Sequence, residues 1–194
     1  MTERISFGIN FIIFVVTLIL TARYFWENGK WCPAKARKAF RFFTVQSNVL
    51  CAVAAICMCF FPDSEWAYYL KIIGTAAVTV TLLTVVIFLG RIYGYAVLFK
   101  GSDLFMHLIT PLLAIASLCI FERRGISLGA AFIGMIPVVL YAPLYLYKIL
   151  HAPVEKRWED FYGFNTAGRW KISYVMMHVG TAIMCIAFYF LLNI

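Results

Sequence analysis

The chain has 194 residues, of which 63% are hydrophobic and only 13% are charged. Soluble domains carry about 25% charged residues, so this chain has too little polar surface to cover a water-soluble globule. The composition also excludes disorder, collagen and coiled coil. The net charge is +8, but the basic residues punctuate apolar runs and form no patch, which argues against nucleic-acid binding. The sequence is typical of a multi-span membrane protein.

Six apolar stretches are long enough to cross a bilayer, which takes about 20 helical residues. The stretches are continuous rather than alternating, which indicates helices and not barrel strands. We therefore predict an all-α polytopic membrane protein, a single domain over residues 1–194 that forms a bundle of six transmembrane helices. Spans 1 to 6 are predicted at Ser6–Ala22, Val45–Pro62, Tyr68–Leu89, Leu104–Phe121, Ile126–Leu146 and Ile172–Ile194.

Most of the basic residues fall in the connections 23–44, 90–103 and 147–171, which alternate spans place at one end of the bundle. The positive-inside rule predicts that this basic end faces the cytoplasm and that both termini lie on the outer side of the cell membrane. Anionic lipid headgroups are the expected partners of these loops. The exceptions at the other end are Arg4, Lys71, Arg123 and Arg124.

Span 2 opens with four polar side chains in five residues, including Thr44, Ser47 and Asn48. Polar groups are costly in lipid, so such a cluster points to a functional site. Thr44 and Asn48 are four residues apart and share one helix face, which Ser47 flanks. The alternative is a helix start, in which Thr44 or Ser47 caps the helix and the other side chains meet the headgroups.

Span 4 opens with Asp103 and His107, which are also four residues apart. Asp103 is expected either to orient the imidazole and favour its charged form, or to cap the helix. Pro111 has no N–H to donate to the carbonyl of His107, so we expect a kink that frees this carbonyl. The alternative role for His107 is a structural hydrogen bond.

Spans 2, 4 and 6 all start at the basic end, so Thr44, Asn48, His107 and His178 are predicted to lie at one depth of the membrane. A helix bundle can bring such groups together in a cavity. Asn10 lies at the other end and is not expected to join them. No acidic residue is expected deep in a span, which argues against a proton- or cation-coupled carrier.

These residue types suit acyl transfer. A threonine hydroxyl becomes a nucleophile when a base such as His107 takes its proton. Asn48 or backbone N–H groups would hold the oxyanion, and an aspartate behind the histidine would complete a triad. His178 is a reserve base or a partner for a substrate carboxylate. The connection between spans 5 and 6 is expected to be either a lid or a simple linker. No cofactor, metal site or disulfide framework is indicated.

The string from Phe42 to Asn48, with His107 and Pro111 in a later span, resembles the androgen-induced protein family and its bacterial relatives. The stretch from Trp158 to Asn165 is more similar to the bacterial members. The resemblance implies a multi-span threonine hydrolase that cleaves fatty acid esters of hydroxy fatty acids. It places the nucleophile on Thr44 and the essential histidine on His107.

The resulting hypothesis is an intramembrane hydrolase of a lipid ester, with Thr44 and His107 catalytic and with Asn48, Ser47, Asp103 and His178 binding the substrate. Its expected partners are membrane lipids and the ester itself. Two alternatives stay open. One is a carrier of a small solute or lipid, and the other is a scaffold in which the same polar groups only tie helices together.

Overall fold

The computed structural model describes residues 2–194 and is almost entirely helical. Six of its helices are long and apolar enough to cross a membrane, which confirms the predicted all-α six-helix bundle. Both described ends of the chain therefore lie at the same end of the bundle. The six spans run over Thr2–Phe25, Phe43–Phe60, Glu65–Tyr93, Ser102–Phe121, Leu128–Leu150 and Trp170–Asn193.

Most of these helices extend past the predicted apolar windows. Span 1 begins at Thr2, where the prediction placed Ser6, and span 3 continues to Tyr93, where the prediction ended at Leu89. A helix does not stop where hydrophobicity stops, because polar and aromatic residues continue it into the headgroup region. Span 5 is the one helix that begins later than predicted, and it starts at Leu128 behind a serine cap, Ser127.

Span 3 is the most buried of the six and lies at the centre of the bundle. Small residues let its neighbours approach closely. A Cβ added to Gly74 would stand 2.9 Å from the Cα of Cys51 in span 2. A Cβ on Gly134 in span 5 would meet the Cβ of Ala76, also at 2.9 Å. Glycine is required at both crossings.

Two ordered connections cover the basic end of the bundle. After span 1, the short strands Trp26–Glu27 and Lys30–Trp31 form a hairpin, and the helix Pro33–Ala39 follows. Between spans 5 and 6, residues 158–165 fold back onto the bundle and form what we call the cap. Its aromatic rings pack on the core around Tyr145.

Three segments of the spans are wound as π-helix: Val85–Leu89 in span 3, and Phe105–Ile109 and Ser117–Phe121 in span 4. A π turn places one extra residue in the helix, which redirects the side chains that follow and is frequent at functional sites. The segment Phe105–Ile109 contains His107. The segment Ser117–Phe121 ends directly before Glu122.

Candidate active site

A cavity of about 610 Å³ lies between spans 3, 5 and 6 beneath the cap. This volume is within the range of sites that hold one small molecule. Its walls are predominantly apolar, and none of the residues that line it is charged. The polar side chains lie mainly near the basic end, where Thr44, Tyr141 and Tyr162 line it.

Thr44 lies in the first turn of span 2, one residue after the helix begins at Phe43. The residue before the helix is Phe42, and no side chain caps this end. Neither Thr44 nor Ser47 is therefore a helix cap, and the capping alternative is wrong. Thr44 is half-buried and reaches the cavity wall.

Tyr162 of the cap holds the start of span 2. Its hydroxyl accepts a hydrogen bond from the Phe43 N–H at 2.8 Å. Burial raises the pKa of Tyr162 to about 12, against the opposing effect of nearby groups that include the Phe43 N–H and the Thr44 hydroxyl and backbone. The neutral phenol therefore stands beside the Thr44 hydroxyl at ordinary pH.

The cap is folded around one carboxylate. Asp160 accepts hydrogen bonds from the backbone N–H groups of Phe164 at 2.9 Å and Asn165 at 2.7 Å. It also accepts the hydroxyl of Tyr145 at 2.9 Å, and that hydroxyl in turn accepts the Tyr162 N–H at 3.2 Å. The connection is therefore not a simple linker: it is an ordered segment, and its residues Tyr162, Gly163 and Phe164 line the cavity.

Asn48 ties span 2 to span 4. Its amide donates to the carbonyl of Thr44 at 2.8 Å and to the carbonyl of Met106 at 3.1 Å. The side chain is fully buried. Thr44 is thereby linked through one amide group to the residue that precedes His107.

The second of these bonds has a cause in the π turn. The Thr110 N–H donates to the carbonyl of Phe105, five residues back. In that register the next carbonyl, that of Met106, falls opposite Pro111, which has no N–H. Asn48 supplies the missing donor. Sequence reasoning expected Pro111 to free the carbonyl of His107, whereas the carbonyl that takes an outside donor is one residue earlier.

His107 is buried, and its Nδ1 lies 2.8 Å from the carbonyl oxygen of Leu98. A carbonyl only accepts, so Nδ1 carries a hydrogen, and in the neutral form of the ring the lone pair is on Nε2. The orienting partner is thus Leu98 and not Asp103. Asp103 does not cap the helix either, because the residue before the helix is Gly101.

The other predicted site residues make different contacts. Ser47 pairs with the Thr81 hydroxyl of span 3 at 2.9 Å and donates to the Thr44 carbonyl at 3.0 Å. His178 bonds through Nδ1 to the carbonyl of Tyr174 in its own helix, also at 2.8 Å. Its ring lies against the Tyr174 ring, with the two centroids 4.2 Å apart.

Thr44, Ser47 and Asn48 lie together with the backbone that precedes His107. Across residues 2–194, no hydrogen bond joins Thr44 to His107 itself. His107 and His178 are not among the residues that line the cavity. Each of the two histidines is held by a backbone carbonyl and not by the polar groups of span 2.

A second polar cluster, near the other end of the bundle, was missed by the sequence analysis. Lys71 is fully buried and lies 3.7 Å from the carboxylate of Glu122, which is also buried. Asn10 contacts both groups. Ser6 and Ser117 donate to Glu122 at 2.6 Å and 2.9 Å.

Glu122 lies directly after span 4 and not deep in a span, but it is buried inside the bundle, which the sequence did not indicate. Glu122 follows the predicted end of span 4, but its N–H reaches back five residues to Ser117 in the π turn. This extra winding turns the carboxylate into the bundle. The signal available in the sequence was Lys71, a lone cation inside an otherwise apolar span, which requires a buried partner.

Comparison with known proteins gives no match: no family model, no curated protein and no solved structure is significantly similar to this chain.

Proposed function

We propose that the protein is an intramembrane hydrolase that cleaves a lipid ester, with Thr44 as nucleophile. The observation that carries the proposal is that Thr44 lies at the polar end of an apolar cavity within the membrane-spanning helices. A lipid ester has the matching polarity, since its chain suits the apolar walls and its carbonyl suits the hydroxyl groups.

The protonation of His107 supports its role as the base. The Leu98 carbonyl holds the hydrogen on Nδ1, which leaves Nε2 as the proton acceptor. This is the arrangement that a general base requires, because one ring nitrogen is oriented and the other is basic. Asn48 keeps this segment of span 4 against the backbone of Thr44.

The proposed reaction has two steps. The Thr44 oxygen attacks the ester carbonyl carbon, its proton passes to Nε2 of His107 once bound substrate brings the two groups within hydrogen-bond reach, and the alcohol leaves with that proton. Water then attacks the acyl-threonine, gives its proton to His107 and releases the fatty acid as Thr44 recovers its hydrogen. In this proposal the phenol of Tyr162, which is close to the Thr44 hydroxyl, donates a hydrogen bond to the developing oxyanion.

The basic end of the bundle indicates how the protein is oriented in the membrane. We propose that this end faces the cytoplasm in the cell membrane, with both termini outside, because the basic connections gather there. Water for the second step then enters from the cytoplasm, and a substrate carboxylate is attracted by the basic loops. An active alkaline phosphatase fused to the C-terminus is the expected result, and an inactive one contradicts this orientation.

A lipid carrier is the second candidate, and one observation favours it. The Thr44 hydroxyl has the Tyr162 phenol beside it, whereas His107 is bonded to Leu98 and lies outside the cavity lining. The same cavity would then bind a lipid without chemistry. Transfer of a fluorescent fatty acid between liposomes, unaffected by Thr44→Val, is the result that this candidate predicts.

The decisive experiment measures cleavage of p-nitrophenyl esters by the purified protein in detergent. Thr44→Val keeps the shape of the side chain and removes the nucleophile, so kcat/KM should fall by about 10³-fold or more. Thr44→Ser should retain measurable activity. His107→Asn keeps a donor for Leu98 but no base, and we expect a loss of about 10²–10⁴-fold.

The matched control is Thr84→Val, since Thr84 is another threonine that lines the cavity. Thr84→Val should retain the activity of the wild type. A fluorophosphonate or acylating probe should label the wild-type protein, and Thr44→Val should abolish this labelling. Full activity in Thr44→Val or His107→Asn contradicts the mechanism.

A further inference from the structure

Span 6 contributes one face to the cavity, and this face has a gap in the middle. Ser173, Met177 and Met184 project along it, but Gly180 between them has no side chain. A Cβ added to Gly180 would have no atom within 4 Å, so the space beside it is open. The glycine is not needed for close helix packing, unlike Gly74 in span 3.

The position of this gap along the helix is informative. Gly180 lies seven residues beyond Ser173, or about 10 Å along the axis at 1.5 Å per residue. Met184 is buried and lies about 6 Å deeper. An acyl chain that starts at the level of Ser173 reaches Gly180 only when the chain is longer than about 10 Å.

The cavity also opens sideways to the bilayer. Ile87 and Phe88 of the π turn in span 3 line it, and so do Met176 and Ile183 of span 6. All four side chains are exposed on the outside of the bundle. In a membrane this outside is lipid, so the cavity is continuous with the hydrocarbon, and an acyl chain is the occupant available there.

We propose that the cavity holds one unbranched acyl chain along span 6 and that Gly180 sets the longest chain accepted. The inference rests on the proposed function, since it places the ester at Thr44. The flexible side chains of Met177 and Met184 adapt to the chain on either side of the gap. A leucine at position 180 fills the gap and stops the chain at that depth.

The test uses p-nitrophenyl esters of butanoate, octanoate, dodecanoate and hexadecanoate with wild-type protein and Gly180→Leu. We expect kcat/KM for hexadecanoate to fall by about tenfold or more, since each methylene in an apolar pocket is worth about 10-fold or more. Butanoate does not reach position 180, and its kcat/KM should stay unchanged. The matched control is Gly8→Leu, because Gly8 in span 1 also has open space around its Cβ and does not line the cavity.

A binding measurement separates this inference from the proposed function. Hexadecanoate and octanoate are used to displace a fluorescent fatty acid from the detergent-solubilised protein. Weaker displacement by hexadecanoate in Gly180→Leu, with octanoate unchanged, supports the chain-length role even when the wild type cleaves no ester. Equal displacement by hexadecanoate in the wild type and Gly180→Leu overturns the inference, whatever the hydrolysis assay shows.

Discussion

The buried contacts between spans 1 to 4 and the cavity beneath the cap use polar residues in different ways. Between spans 1 and 4, polar side chains point at one another: Lys71, Glu122 and Asn10 form one cluster, and Asn48 joins two helices. At the cavity, Thr44 points into open space beside the phenol of Tyr162. Polar groups in the first region stabilise the fold, whereas those in the second are available to a ligand.

The unsatisfied polar atoms sharpen this contrast. In the part of the chain that the structure describes, the buried side-chain oxygens without a hydrogen-bond partner lie in spans 1 to 3 and on Glu122, directly after span 4. Such unpaired atoms are costly in an apolar interior, so the hydrogen bonding that accompanies the pairing of these helices is incomplete. Substitutions in the cluster of Lys71 and Glu122 should change stability and leave the chemistry intact, whereas substitutions of Thr44 and Tyr162 at the cavity should do the reverse.

The largest expected effect is on stability, from Lys71→Met. The substitution leaves Glu122 buried without its cation, and breaking a buried ion pair in this way costs about 3–5 kcal/mol. We expect a marked fall in the apparent Tm in detergent and a low yield. Ester cleavage per folded molecule should be unchanged, because Lys71 lies outside the cavity.

The matched control for Lys71→Met is the double variant Lys71→Met with Glu122→Gln. It removes both charges and should recover most of the lost stability, because replacing a whole buried pair is far less damaging than breaking it. If the double variant is as unstable as the single one, then packing of the Lys71 side chain, and not its charge, holds this cluster together.

The next effect is on activity, from Tyr162→Phe. The ring still packs in the cap, but the hydroxyl that accepts the Phe43 N–H and stands beside Thr44 is lost. We expect kcat to fall by about 10–10²-fold with KM little changed, because a hydrogen-bond donor to the transition state is removed. Steady-state cleavage of a p-nitrophenyl ester measures both parameters.

Tyr95→Phe is the control for removal of a phenol. The hydroxyl of Tyr95 donates to the carbonyl of Val86 at 2.8 Å, outside the cavity lining. Its loss should leave kcat close to that of the wild type. An equal fall of kcat in both variants would mean that Tyr162 only stabilises the fold. The cap would then not differ in this respect from the buried contacts between spans 1 to 4.

The bundle could be predicted from the sequence because a long apolar segment in lipid forms a helix to satisfy its backbone hydrogen bonds, and the chain has six such segments. The π turns could not be predicted, because they depend on neighbours that are remote in the chain. Pro111 indicated a broken hydrogen bond, but the register of the π turn moved the open carbonyl to Met106, where Asn48 of another span meets it. The same kind of turn brought Glu122 inside.

For the site, the sequence predicted Thr44 but not what surrounds it. Polar residues are rare in a lipid-embedded helix, so the sequence indicated Thr44 and Asn48 as candidate site residues. Tyr162 lies in a polar connection in which aromatic residues are ordinary, and only the fold shows that it covers the start of span 2. The tautomer of a histidine is also set by its hydrogen-bond partner, and nothing in the sequence indicates that the Leu98 carbonyl orients His107.

The smallest expected effect is that the packing of the cap on the bundle depends on pH. Burial raises the pKa of Tyr162 from 10.0 to about 12, so the packed cap keeps a proton that an open cap loses. The packed form therefore binds more protons, and raising the pH above 10 progressively favours opening until the packed phenol itself ionises near 12. Below pH 10 the cap should show no such dependence.

Trp158 reports on this opening because it packs in the cap between Arg41 and Lys148. The tryptophan contribution is obtained as the fluorescence difference between the wild type and Trp158→Phe. This difference should change above pH 10, and the change should disappear in a Tyr162→Phe background. If it persists there, ionisation of Tyr162 is not what loosens the cap. The phenol would then hold the start of span 2 through the hydrogen bond that it accepts from the Phe43 N–H, and its pKa would have no part in keeping the cap packed.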